Sequence, residues 1–228
     1  VRDPAMLIYL DNTRNRRGKP NENLARELME LFSLGLGNYS ESDIRDGARA
    51  LTGWGTGPQG FRFAARLHDS DKKTILGQTG RFDADDFIGI ILQQPACAAF
   101  MIRKLWQYFA GAEPTPEVLG DLAAGFRASD YDIRLAVRDI LRHPSFYSDE
   151  VRGTQIKSPL QLVVGTARTL QVQVNTPKIY QRMLALMGQT PYQPPNVKGW
   201  PGGRAWIDTT RLVTRYTFAQ MVADGQIP

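Results

Sequence analysis

The sequence predicts a mainly α-helical fold, a multi-helix orthogonal bundle with a small β-hairpin insertion. Three observations carry that reading. Apolar residues recur at three- and four-residue spacing along most of the chain. Helix starts are marked repeatedly by a hydroxyl or carboxylate side chain followed by proline or by a second acid. Only one stretch, residues 61–77, has the composition of paired strands.

Taken in order, the first helix lies in "DPAMLIYLDN" and the chain opens on Val1 inside it, as expected of the C-terminal portion of a longer protein. After a basic loop, "NENLARELMELFSLGLG" forms an amphipathic helix whose Leu24, Leu28, Leu31 and Phe32 share one face. Ser40 with Asp43 reads as a capping box for the next helix. The connector "GWGTGPQG" is too rich in glycine and proline for a helix, and "FRFAARLHDSDKKTILG" follows as the hairpin. Together these define an insertion over residues 55–80 within a single helical domain spanning 1–228. Asp83 with Asp86 starts the next helix, and Phe100, Leu105, Trp106 and Phe109 give the one after its apolar stripe. Thr115-Pro116, Ser158-Pro159 and Thr176-Pro177 each pair a cap with proline at the first helical position. Ile133, Val137, Ile140 and Leu141 mark another helix, and a last one starts near Trp206 after the irregular loop "PYQPPNVKGWPGG". The expected total is eight or nine helices.

Composition narrows the function classes. Hydrophobic residues make up 42% and charged residues 22% of 228, ordinary for a globular chain with a sizeable core. No apolar run is long enough to cross a bilayer, and no signal peptide is readable. The net charge of +5 suits an acidic partner, but the basic residues are mostly interleaved with acids. The exception is Arg14, Arg16, Arg17 and Lys19 in "TRNRRGKP", which reads as a solvated loop in preference to a phosphate-binding patch, so nucleic acid is not the expected partner. Cys97, the one cysteine, sits in apolar "PACAAFMI" as a buried small hydrophobe.

Four constellations could carry chemistry. In the amphipathic helix, Arg26 lies four residues from both Glu22 and Glu30 and pairs along the surface. Glu27 falls at the edge of the apolar arc. There it either forms a structural ion pair with Arg49 or, with a shifted pKa, acts as base or metal ligand. Upstream, Asp11, Thr13, Asn15 and Glu22 follow EF-hand ligand spacing, but Arg16 occupies the position that needs glycine. An ordinary loop with Asn21 capping the next helix is the expectation. His68-Asp69 is either an acid–base pair or a turn in which Asp69 and Asp71 bond local backbone. Finally, Trp200, Arg204 and Trp206 offer flat faces and a planar fork for a ligand, or plug the core. His143 suits a helix C-terminus. With two histidines and one cysteine, a zinc site rich in those residues cannot be assembled from this chain. A divalent metal would need carboxylates or ligands from elsewhere, and no nucleotide motif is present.

"NENLARELMELFSLGLGNYSESDIRDGARALTGW", "HDSDKKTILG" and "PPNVKGWPGGRAWID", in that order, resemble the bacterial family called domain of unknown function 1800. The likeness runs from "PAMLIYLDN" to the last helix. It implies an exported protein, periplasmic or extracellular, whose longer relatives carry a histidine-containing N-terminal motif that this chain lacks. It supplies no activity. Two function classes fit: a non-catalytic module that binds a protein or cell-envelope polymer, or a hydrolase whose Glu27, His68 and Asp69 are completed by an N-terminal segment. The first predicts an exposed tryptophan patch at Trp200 and Trp206; the second predicts three side chains converging on one cleft.

Overall fold

The structure, a computed structural model, describes residues 1–172 and 175–226. Its contacts group into two compact units, one of Val1–Tyr108 with Glu113–His143, the other of Phe109–Ala112 with Pro144–Pro228. Among the described residues there are ten α-helices and two small antiparallel sheets, so the fold is mainly α with a minor β part. No helix among them is long and apolar enough to cross a membrane.

The first unit opens with α1 (Pro4–Tyr9), whose first turn is capped by the Asp3 carboxylate. Helix α2 (Asn23–Glu27) runs directly into a π-helical stretch, Leu28–Ser33, where the Ser33 hydroxyl bonds the Leu28 carbonyl. A π stretch this long is rare, and nothing in the apolar spacing announces it. Helix α3 (Glu41–Ala50) carries the expected capping box between Ser40 and Asp43. Its Gly47 has no room for a side chain, since a Cβ there would lie 2.7 Å from the Phe87 ring of α4 (Ala84–Gln93). The capping box of α4, Asp83 with Asp86, is also present.

The insertion is two hairpins, one more than the sequence indicates. Strand β1 (Trp54–Gly57) pairs with β2 (Gly60–Phe63), so the stretch read as a connector is itself a strand. Trp54 explains this: its indole is buried and meets Phe61 edge-on at 5.1 Å, a cross-strand contact that outweighs the glycines around it. Strands β3 (Lys73–Ile75) and β4 (Gln78–Gly80) form the second hairpin. Its two-residue loop, Leu76-Gly77, has positive φ at both positions, as a tight hairpin of this handedness requires. Leucine in that region is held by an outside bond: the Leu76 N–H donates to Asp43 at 2.7 Å.

Helices α5 (Pro95–Ala110), α6 (Pro116–Ala128) and α7 (Ile133–Arg142) follow. Thr115 caps α6 as expected and Asp132 caps α7, with His143 at its C-terminal cap. Leu7, Leu24, Met29, Ile44, Leu51, Ile75 and Phe87 centre the core of this unit, and Cys97 is buried in it. Each such aliphatic or aromatic side chain contributes about 1.5–3 kcal/mol by leaving water.

The second unit contains α8 (Pro159–Thr169), α9 (Pro177–Leu186) and α10 (Thr209–Ala223) around Val163, Tyr180, Met183, Leu184, Met187 and Phe218. Ser158 and Gln161 form a capping box, and Asp208 caps α10. Thr176 precedes α9 without capping it; there the proline alone marks the start.

Candidate functional site

The polar groups buried in the first unit converge where α3 ends. Arg49, near the C-terminus of α3, forks between two carboxylates, Asp46 at 2.9 Å and Asp69 at 2.8 Å. Thr52 sits just beyond. Its hydroxyl donates to the Arg49 carbonyl at 2.6 Å and accepts the Asp69 N–H at 2.8 Å. His68 places Nδ1 3.0 Å from the Thr52 carbonyl, and its ring meets Phe63 edge-on at 5.6 Å. Lys73, 1% exposed as a residue, donates through its ammonium to the carbonyls of Asp69 at 2.6 Å and Asp71 at 3.0 Å. Asp46 and Asp43 also accept N–H groups of Thr74 and Leu76, so the acidic face of α3 grips the second hairpin.

Electrostatics follow from this packing. Burial pushes the Asp69 carboxyl up, but the Arg49 guanidinium, the Asp71 N–H and the Lys73 charge outweigh it and hold the group below the usual carboxylate range. Burial likewise works against the Asp43 carboxylate, and its bonds from Ser40 and Leu76 overcome the cost. For Lys73 burial dominates and lowers the ammonium pKa despite the neighbouring Asp69. An Asp held this low is a weak base, and its oxygens are already occupied. The turn reading of Asp69 and Asp71 describes the observed bonds: the Asp71 N–H donates to Asp69 at 2.9 Å.

The other expected residues lie as follows. Glu27 is half-buried at the end of α2, between buried Leu24 and Leu28. Arg26 pairs with Glu22 at 3.2 Å and with Glu41 at 2.8 Å; Glu30, expected as its second partner, accepts from the Tyr39 hydroxyl instead. Trp206 is 5% exposed, Trp200 is half-buried and Arg204 is exposed. The tryptophan face that would mark a ligand surface is therefore turned inward at Trp206. Of the EF-hand-like positions, Asn15 is buried and bonds Asn12, Ala48 and Asn21, Asp11 pairs with Arg14, and Glu22 pairs with Arg26. Asn21 accepts the Asn23 N–H at 3.0 Å at the start of α2. Among the described residues no three His, Cys, Asp or Glu side chains are grouped so as to hold a metal ion.

The loop "TRNRRGKP", read from the sequence as solvated, is held in place by buried side chains. Asn15 anchors it: its amide donates to Asn12 at 3.0 Å and to the Ala48 carbonyl at 2.8 Å, and its oxygen accepts the Asn21 N–H at 2.9 Å. Asn12 in turn donates to the Trp54 carbonyl at 2.9 Å, and the Arg17 N–H bonds Leu67 at 2.7 Å. The Gly53 N–H, from a residue with φ +83°, reaches the Asn15 carbonyl at 3.2 Å; a Cβ there would lie 2.8 Å from the Ala64 oxygen. Buried amides thus dock the loop while its basic side chains face solvent.

Those side chains line a cleft of two adjoining hollows that share Thr13 and Leu67. The larger, about 500 Å³, is walled by Arg14, Arg16 and Lys19 with Pro20 and Asn21. The smaller, about 160 Å³, adds Arg62 and Arg66 beside Trp54. Arg14 has one exposed partner, Asp11 at 3.5 Å. Arg16, Lys19, Arg62 and Arg66 have no carboxylate partner among the described residues. The signal was present in the density of cations; what hid it was that Arg62 and Arg66 lie some 45 residues further along and reach the loop only through the fold.

No curated protein and no solved structure shows a significant match to this chain. The family described as Protein of unknown function (DUF1800) matches residues 1–227, essentially the whole sequence, and the chain belongs to that family.

Proposed function

We propose that the chain is a non-catalytic binding module that holds an anionic polymer of the bacterial cell envelope in the cleft of the first unit. The observation that carries this reading is the set of four cations, Arg16, Lys19, Arg62 and Arg66, lining one docked cleft without carboxylate partners among the described residues. A guanidinium fork matches carboxylate and phosphate alike, and several forks along a groove suit a repeating anionic chain better than a single small ion. The loop that bears Arg16 and Lys19 is fixed by the buried Asn15 amide, and Arg62 stands on strand β2, so little ordering entropy is lost on binding. Location in the envelope rests on the family resemblance alone. The hydrolase reading needs Asp69 to act beside Glu27 and His68, and the engagement of Asp69 by Arg49 works against its part in such a site.

Isothermal titration with poly(glycerol phosphate) and polygalacturonate tests the proposal, with neutral dextran as control. Binding to at least one polyanion should weaken between about 50 and 300 mM NaCl as screening increases. Replacing Arg16, Lys19 and Arg66 together by Ala removes three exposed pairings worth about 0.2–1 kcal/mol each, a loss of roughly 3- to 150-fold in affinity. Equal affinity for dextran, or unchanged affinity in the triple variant, overturns the reading. Tighter binding of a single-stranded oligonucleotide than of either polymer would replace it.

A further inference from the structure

The basic cleft has a charge pattern and a texture that narrow the polymer it can hold, granted the polyanion-binding reading above. Its unpaired cations fall into two sets. Arg16 and Lys19 wall the larger hollow, and Arg62 and Arg66 wall the smaller. The two hollows share Thr13 and Leu67, so the lip between the sets is uncharged, and Leu67 is 38% exposed on it. The smaller hollow, about 160 Å³, falls well short of the roughly 300–1,000 Å³ of a small-molecule site. It takes a compact anionic group but not a sugar ring beside it. Trp54 is the one aromatic side chain among the described lining residues, and its surface is already taken. It is 6% exposed, Phe61 meets it edge-on at 5.1 Å, and the Arg2 guanidinium lies 5.1 Å over its ring. The described lining therefore offers no flat apolar platform of the kind on which sugar rings and nucleobases stack.

We infer that the polymer is a phosphodiester-linked polyol, a ringless chain in which phosphates alternate with short neutral carbon links. One phosphate meets Arg16 and Lys19, another meets Arg62 and Arg66, and the neutral link between them crosses Thr13 and Leu67. Guanidinium forks and a lysine suit phosphate oxygens. The uncharged lip separates this chain from linear polyphosphate, whose unbroken charge would lie against Leu67 without a countercharge. The small hollow and the lack of a stacking platform separate it from a polyuronate, whose carboxylates are carried on rings, and from a single-stranded nucleic acid.

Calorimetric titration of the intact chain with poly(glycerol phosphate), linear polyphosphate and polygalacturonate, matched in anionic groups, is the direct test. It is made at about 150 mM NaCl, where attraction beyond about 8 Å is screened and plain charge density counts least. Poly(glycerol phosphate) should bind about tenfold tighter than either of the others. Leu67→Lys puts a cation on the lip, at an exposed position whose backbone carbonyl still accepts from Arg17. It should raise the affinity for polyphosphate several-fold more than that for poly(glycerol phosphate), whereas a general gain of positive charge would raise both alike. Polyphosphate or polygalacturonate binding as tightly as poly(glycerol phosphate) overturns this inference and leaves the polyanion reading standing. So does a folded Leu67→Lys variant that keeps the wild-type preference. Absence of binding to all three polyanions overturns both.

Discussion

Asp69→Asn isolates the contribution of the polar network at the end of α3. The wild-type carboxylate accepts from Arg49 Nε at 2.8 Å and Nη2 at 3.4 Å, and from the Asp71 N–H at 2.9 Å. Asparagine can keep the Asp71 bond through its oxygen, but its amide then meets Arg49 donor against donor. Its partner's charge is not left wholly uncompensated, because Asp46 stays 2.9 Å away. The two side chains are 12% and 23% exposed, so the cost falls below the 3–5 kcal/mol of breaking a fully buried pair and should be about 2–3 kcal/mol. For a chain of this size that corresponds to a melting temperature lower by about 4–12 °C. Urea unfolding followed by far-ultraviolet circular dichroism at neutral pH measures it. The pH dependence has a definite sign. Asp69 has its folded pKa lowered, so its stabilisation is fully present above the unfolded value near 4 and is lost as pH falls through the folded value. The gap between wild type and variant should therefore narrow as the pH drops below about 4. A neutral-pH difference under about 0.5 kcal/mol would refute the reasoning, since that is the size of an ordinary exposed pair. So would a gap that persists undiminished in acid.

Other perturbations have equally specific outcomes. Gly47→Ala forces a methyl group into the Phe87 ring and should cost about 1–3 kcal/mol, read from the same urea curves. Asn15→Ala removes three buried side-chain hydrogen bonds and should cost about 2–4 kcal/mol. Because those bonds dock the basic loop, the variant should also make the Arg16–Arg17 peptide more sensitive to limited trypsin digestion. Ser158→Ala loses a capping box and should destabilise α8 by about 1 kcal/mol, visible as a lower unfolding midpoint. Cys97, buried and with its thiol pKa pushed up by that burial, should stay unreactive toward a thiol reagent at neutral pH until the chain is unfolded.

Local chemistry explains which features could be read in advance. The caps at Ser40, Asp83, Thr115 and Ser158 are legible because each acts within three residues of its helix start. The first hairpin was missed because its glycines argue against a strand, while the force that pairs it, Trp54 against Phe61, acts across the turn. Arg26 illustrates the same limit. Its four-residue spacing to Glu22 is visible in the sequence, but the competition between Glu30 and Glu41 is settled by how α3 lies against α2. The candidate site was the least legible part. Nothing in "NTRNRRGKP" says that Asn12 and Asn15 turn inward, and it is their burial that converts a run of solvated charges into the wall of a cleft.

Lys72 and Lys73 are adjacent in the chain yet occupy opposite chemical worlds, one exposed and the other enclosed by the Asp69 and Asp71 carbonyls. An acylating reagent should modify the first at once and reach the second only when the hairpin lifts from α3. The pair is consequently a built-in clock with its own internal standard. The ratio of the two modification rates, taken from one peptide, reports how often this corner of the molecule opens, without any label having to be introduced.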